Sequence, residues 1–443
     1  MRVYKLLIAV GLYFVLGGWL GHELGPAGQG LALMLTIAWL WVSEALHVSV
    51  TALLVPLLAA VSGILPFDQA LLQFADPVIF LFLGGFALAA GLQQQGLDRW
   101  MAAWVIGKAG NRLDLAARYL FWVTAVLSMW ISNTATAAMM LPLALGLLSP
   151  LSFKYHKQTY LYVLLGVAFS ANIGGLGTIV GSPPNAIAAS NVDIGFGQWM
   201  AWGIPVVVLM LPLMEIALRF ALKPSMTVQV QPPEEHERWS RRHNLMLGVF
   251  ALAVLMWIFG APLAERIGID RGYEALVALT ALVLLHALRL ATWKDIQNGA
   301  DWGVLLLFGG GLTLSRVLNE SGAAEWLATQ LGGLFGVMPV LASLILMMLF
   351  ALILTEVTSN TASAALLIPL LIGMAPGIDS VAIAVVIAIA TSCAFLLPVA
   401  TPPNAIIFGS GYVPQRQMIR CGLWVTLAVS VVLVGLAAVL GTL

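Results

Sequence analysis

The chain has 443 residues, 61% of them hydrophobic and only 9% charged, and its 20 basic and 20 acidic side chains cancel. A soluble protein carries roughly 25% charged residues, so a soluble enzyme is excluded, and without a basic face so is a nucleic-acid binder. Apolar runs of about 20 residues recur from end to end, where a β-barrel would need short alternating segments.

The N-terminal run MRVYKLLIAVGLYFVLGGWL imitates a signal peptide, but no A-x-A-like cleavage site follows, so it reads as an uncleaved first span. Spans are expected near 6–22, 29–46, 48–65 and 76–95, ending on the side that carries Arg2, Lys5 and Arg99. Residues 97–109, with Trp100, Trp104 and Lys108, suit a helix lying in the interface. Residues 114–149 begin and end in one basic zone, which makes them a re-entrant hairpin with Ser132-Asn133-Thr134 at its tip. Residues 159–200 cross outward and 203–220 return to Arg219 and Lys223. A polar stretch at 223–243 then reads as a cytoplasmic linker near the midpoint. Spans at 244–262 and 273–289 lead to Lys294, and 301–319 exits. A second hairpin (339–374) dips from outside, 380–413 crosses inward to Arg416 and Arg420, and 421–443 ends outside. The expected fold is an all-α polytopic membrane protein with about eleven transmembrane helices and two re-entrant hairpins. Its setting is the plasma (inner) membrane, with a cytoplasmic N-terminus and an extracytoplasmic C-terminus.

The two halves repeat. Asp76 to Gly85 (DPVIFLFLGG) resembles Asp301 to Gly310 (DWGVLLLFGG) at an offset of 225. SNTATAAMMLPL from Ser132 recurs as SNTASAALLIPL from Ser359, and GSPPNAIA from Gly181 as ATPPNAII from Ala400. Three landmarks in one order point to a duplication. Cytoplasmic flanks collect Lys and Arg. The first hairpin is flanked by Arg99, Lys108, Arg112, Arg118, Lys154 and Lys157, whereas the matching windows 321–345 and 374–380 hold neither Lys nor Arg but Glu325 and Asp379. The repeats are therefore expected to be inverted, a common transporter architecture.

Backbone breaks inside hydrocarbon occur only where they line a cavity or lie buried in protein. Ser132-Asn133-Thr134 and Ser359-Asn360-Thr361 each place N-cap residues before Ala-rich sequence. Ser182-Pro183-Pro184 and Thr401-Pro402-Pro403 each place a cap before proline, a helix start in mid-membrane. Exposed N–H ends attract anions and exposed carbonyl ends attract cations. The pattern suits one anion site flanked by two cation sites, with no Arg or Lys in any motif. Bringing a dianion into a cell at about −100 mV costs roughly 4.6 kcal/mol, at about 2.3 per charge, so cotransport with cations is favoured.

At these motifs, and in length and landmark order throughout, the chain resembles the divalent anion:sodium symporter family, which imports di- and tricarboxylates or sulfate. The resemblance implies a homodimer and an elevator mechanism. A scaffold (1–110 and 244–320) would hold the dimer while a transport domain (111–222 and 321–443) slides with the substrate. Carried over by motif, Ser132, Asn133, Thr134, Ser359, Asn360 and Thr361 would bind carboxylates, helped by Ser182, Pro183, Thr401 and Pro402. One Na⁺ would lie near Ser128, Ser132, Asn133 and Gly181, and a second near Thr355, Thr358, Asn360 and Ala400. Ser182 stands where the other half has Thr401, so the two loops are not equivalent.

The same residues admit other readings. Small residues could serve only close helix packing, and the proline pairs could be simple kinks. Glu356 reads as a structural partner for backbone or Arg, and Glu44 with His47, taken to share one helical face, as scaffold. The glycine pair Gly84-Gly85 and the run Gly309 to Gly311 suit close helix contact or a hinge. Scattered histidines exclude an HExxH zinc enzyme; Cys393 and Cys421 match no metal spacing. A sodium-independent exchanger, a sulfate or citrate carrier, and an anion channel are the alternatives to a sodium-coupled dicarboxylate importer.

Overall fold

The computed structural model describes residues 2–226, 239–266, 268–269 and 272–442. The centre of the expected linker, 227–238, lies outside the described residues. Among the described residues all regular structure is helical, as an apolar bilayer demands of a chain that must bond its own backbone. The first half contains α1 (Tyr4–Leu24), α2 (Pro26–Ser43), α3 (Val48–Val61), α4 (Pro77–Gln94), α5 (Leu97–Gly107), α6 (Leu113–Ser128), α7 (Asn133–Leu148), α8 (Phe153–Gly174), α9 (Pro183–Val192) and α10 (Phe196–Leu222). The second contains α11 (Arg241–Phe259), α12 (Tyr273–Ala287), α13 (Trp302–Glu320), α14 (Ala323–Val337), α15 (Val340–Val357), α16 (Asn360–Met374), α17 (Ser380–Ser392), α18 (Pro402–Gly409) and α19 (Gln415–Leu440).

Nine described helical stretches are long and apolar enough to cross a membrane, so the protein is a multi-spanning membrane protein. Eight of them fall where spans are expected from the sequence. The ninth is Val340–Val357, the first arm of the second expected hairpin. The expected spans 48–65 and 273–289 hold shorter helices, and 380–413 is split into α17 and α18.

After α1, each helix of the first half has a counterpart in the second, from α2 with α11 to α10 with α19. The packing follows that correspondence. α4 lies on α12 while α3 lies on α13, α9 lies on α16 while α7 lies on α18, and α9 lies on α17 while α8 lies on α18. Exchanging the halves turns each contact into its partner, as a two-fold relation requires. Glycine makes the first pair of crossings possible. A methyl on Gly84 would lie 2.5 Å from the Ala278 carbonyl oxygen, and one on Gly310 would lie 2.6 Å from that of Ala52. The glycine motifs thus serve close contact at these crossings. Away from the membrane centre, Glu215 of α10 pairs with Arg118 of α6 (3.0 Å) and with Arg219 (2.9 Å), tying the start of the first tip-bearing unit to the long helix behind it.

Candidate functional site

Six helices begin at one cavity of about 580 Å³, and the four that start at the repeated motifs are α7, α9, α16 and α18. Its lining includes Ser132, Asn133, Thr134, Ser182, Pro183, Ser359, Asn360, Thr361, Thr401 and Pro402, together with Gly181 and Ala400. Sequence motifs 227 and 219 residues apart (132 to 359, 182 to 401) therefore converge on one space. No Lys or Arg is among the described residues that line it.

The tips are held by local chemistry. Ser132 caps α7, its hydroxyl accepting from the Ala135 N–H (3.3 Å). One end of the Asn133 amide lies 2.6 Å from Ser128 Oγ and 3.2 Å from each of the Ala171 and Gly181 carbonyl oxygens. With nitrogen at that end, the amide donates into an all-oxygen nest. With oxygen there, it joins three other oxygens, a set of hard donors of the kind that cations such as Ca²⁺ and Mg²⁺ take. The second tip repeats the arrangement. Thr355 Oγ1 lies 2.7 Å from Asn360 Oδ1 and 2.5 Å from the Thr391 carbonyl oxygen, two acceptors for a single hydroxyl proton. Thr358 is expected with this group, and its hydroxyl is bonded locally. Its hydroxyl meets the Leu354 carbonyl oxygen (2.9 Å) and Ser363 Oγ (2.5 Å).

The breaks behind the tips are braced in parallel ways. Asn185 donates to the Gly175 and Thr178 carbonyls (2.8 and 2.7 Å), and Asn404 donates to those of Ala394 and Leu397 (both 3.1 Å). The halves also cross-link. Asn172 of α8 donates to Thr401 Oγ1 (3.1 Å), while Ser392 of α17 meets Ser182 Oγ (3.2 Å). Gly175 leaves no room for a side chain, since a methyl there would lie 2.5 Å from Asn133 Oδ1.

Glu356 distinguishes the second break. Its buried carboxylate accepts from three consecutive backbone groups, the N–H of Phe395 (2.8 Å), Leu396 (3.1 Å) and Leu397 (3.3 Å). It is the structural partner for backbone that the sequence suggested. The first half has Met129 at the corresponding place, and there the Thr178 hydroxyl donates to the Met129 carbonyl instead.

Several residues of the site escape sequence reasoning. Asn172 and Gly175 lie in apolar helix with no motif around them. Glu44 and His47 do not share a helical face: Glu44 is the left-handed residue that ends α2 (φ 49°), His47 caps α3, and both line the cavity. The helix stops between them because the α2 apolar run ends at Ser43 and Glu44 turns the chain. Ser49 and Asp301 line the same wall.

Residues 38–390 match the family model described as a citrate transporter. An uncharacterized transporter of Haemophilus influenzae is 46% identical over 436 residues, covering 96% of this chain and 94% of that protein. The sodium-dependent dicarboxylate transporter SdcS of Staphylococcus aureus is 33% identical over 438 residues, covering 91% of this chain and 84% of that protein. Among solved structures, MtrF of Neisseria gonorrhoeae matches with a TM-score of 0.60 at 12% identity, covering 87% of this chain and 85% of that one. The Alcanivorax borkumensis YdaH transporter matches with a TM-score of 0.56 at 14% identity, covering 85% and 86%. At such identities these two likenesses concern the fold alone.

Proposed function

The chain belongs to the family of secondary anion transporters that unites the citrate-transporter model with the divalent anion:sodium symporters, and from this premise we propose that it imports a di- or tricarboxylate, such as succinate, malate or fumarate, coupled to Na⁺. The observation that carries the reading is the pairing of four helix starts around one cavity with an oxygen-rich nest beside each tip. The helix starts and the Asn133, Thr134, Asn360 and Thr361 side chains would hold the carboxylates. The nests would hold sodium. Ser128 Oγ, Asn133 Oδ1 and the Ala171 and Gly181 carbonyls suit the first ion. Thr355 Oγ1, Asn360 Oδ1 and the Thr391 carbonyl suit the second. Each Asn thus faces the ion with one side of its tip and the anion with the other, which makes the two bind together. At roughly 30 Å³ per water, the cavity of about 580 Å³ has room for a four-carbon acid or a larger tricarboxylate.

The architecture proposed with this function is an inverted repeat in a homodimer. Residues 1–110 and 244–320 form the scaffold, and 111–222 and 321–443 form the sliding transport domain with its two re-entrant hairpins. The charge difference between the hairpin flanks supports the inversion, and in this reading the N-terminus is inside and the C-terminus outside. In a cysteine-labelling assay on intact cells, position 154 should be reached only from the cytoplasm and position 379 only from outside. Labelling of both from one side would disprove the inversion.

Sodium coupling is tested in proteoliposomes across succinate, malate, citrate and sulfate. Replacing Na⁺ by choline should reduce uptake of the preferred anion to background. Unchanged uptake would favour sodium-independent exchange, and flux that does not saturate would favour a channel.

A further inference from the structure

The two halves hold their broken helices differently. Asn172 of α8 and Ser392 of α17 occupy matching places, since the residues before them, Ala171 and Thr391, offer the carbonyls that meet Ser128 and Thr355. Each reaches across to the residue that begins the other half's broken helix, Asn172 to Thr401 and Ser392 to Ser182. Only the first of these contacts fixes the direction of a hydroxyl.

That direction is set from the main chain outward. The Asn404 amide nitrogen donates to the Ala394 and Leu397 carbonyls (both 3.1 Å). Carbonyls only accept, so this amide stands one way round and turns its oxygen to Asn172. Asn172 must therefore present its own amide nitrogen, which lies 3.3 Å from Asn404 Oδ1 and 3.1 Å from Thr401 Oγ1. Thr401 Oγ1 also accepts from the Asn404 N–H (3.2 Å), as the cap of α18. Two N–H groups fill both acceptor positions of this hydroxyl, and its O–H is left only to donate. Among the described residues no acceptor takes that proton, and Thr401 lines the cavity.

Ser182 is under no such constraint. Its hydroxyl makes no capping bond to α9 and meets Ser392 Oγ (3.2 Å), where either oxygen can donate. Ser392 also reaches the Ala388 carbonyl oxygen (3.1 Å). Its side chain has no second arm for Asn185, whose Oδ1 is buried without a partner.

We propose that Asn172 is a positioning residue for the anion: it locks the Thr401 hydroxyl as a donor to one carboxylate of the bound acid, while Ser182 stays free to donate or accept. The site then grips the two ends of a dicarboxylate unequally. The inference rests on the proposed function, in which the cavity holds a di- or tricarboxylate.

Sodium-dependent uptake into proteoliposomes tests it, with whichever of succinate, malate and citrate the wild type carries best. Thr401→Val keeps the shape and removes the O–H. It should raise the half-saturating concentration about tenfold, the lower end for one hydrogen bond to a charged group. Thr401→Ser should restore most of the loss. Asn172→Ala should raise the same concentration by part of that factor, with the maximal rate per folded transporter less affected. The double variant should be no worse than Thr401→Val alone, because Asn172 acts through that hydroxyl. Should Asn172→Ala not fold, Asn172→Leu, which keeps more of the volume, takes its place in the cycle. An unchanged half-saturation in Thr401→Val would overturn the proposal, as would losses that multiply in the double variant. A failure of the tip reading looks different: Asn133→Ala would then carry the acid as the wild type does, whatever the Thr401 and Asn172 variants show.

Discussion

Asn133→Ala and Asn360→Ala transporters, each purified and reconstituted into liposomes, should take up no succinate above the protein-free background while unfolding near the wild-type temperature. The loss is expected to be complete because, in the proposed function, each amide would serve two charges at once. At the first tip the Asn133 amide stands among Ser128 Oγ and two carbonyl oxygens, at the start of α7 that lines the cavity. At the second, Asn360 Oδ1 faces Thr355 Oγ1 at the start of α16. In that reading, removing either amide deletes an ion ligand and an anion donor together, and no Lys or Arg stands among the described lining to take over the anion. Stability should change little. Both asparagines are partly accessible at the cavity surface, and Ala is a better helix former than Asn at the first turn's interior positions. Retained sodium-dependent uptake by either variant would refute the assignment of that tip.

Glu356→Ala should fail earlier, at folding. The buried Glu356 carboxylate accepts from three successive backbone N–H groups in the break between α17 and α18, of which that of Phe395 is fully buried. A buried donor left without an acceptor costs about 1–3 kcal/mol, a substantial part of the about 5–15 kcal/mol that holds a typical domain folded. The expected result is a sharp fall in monodisperse protein on size exclusion in detergent. Glu356→Gln keeps one oxygen acceptor and should recover part of that yield. A Glu356→Ala protein with wild-type yield and unfolding temperature would show that the break is held by other means.

How far the sequence discloses this molecule depends on whether a residue is exceptional in its own neighbourhood. Ser132-Asn133-Thr134 and Thr401-Pro402 stand out because polar residues and paired prolines are rare within hydrocarbon, and their repetition multiplies the signal. All ten residues expected to touch the anion line one cavity. Asn172 and Ser392 do not stand out, because their importance comes from reaching across to the other half, a contact that no linear spacing encodes. Thr358 is placed with the second ion by the resemblance, and sequence alone does not show that its hydroxyl bonds the Leu354 carbonyl and Ser363. Glu44 and His47 mislead for a related reason. Three residues apart suits one helical face, but only if the helix continues, and Glu44 adopts a left-handed conformation that stops it. Span length was the weakest signal of all. α3 and α12 hold 14 and 15 residues, and each is buried against a partner helix of the other half, so neither needs the length of a lipid-facing span.

Where Gly84 meets Ala278 and Gly310 meets Ala52, main chain lies against main chain. Such a seam has no rotamers to exchange and no side-chain layer to shear, and interiors packed this tightly jump between arrangements rather than deform. The two helix pairs joined there are built to hold their relative places. In the proposed sliding mechanism, they would be the fixed reference, and the movement would run along surfaces covered by longer side chains.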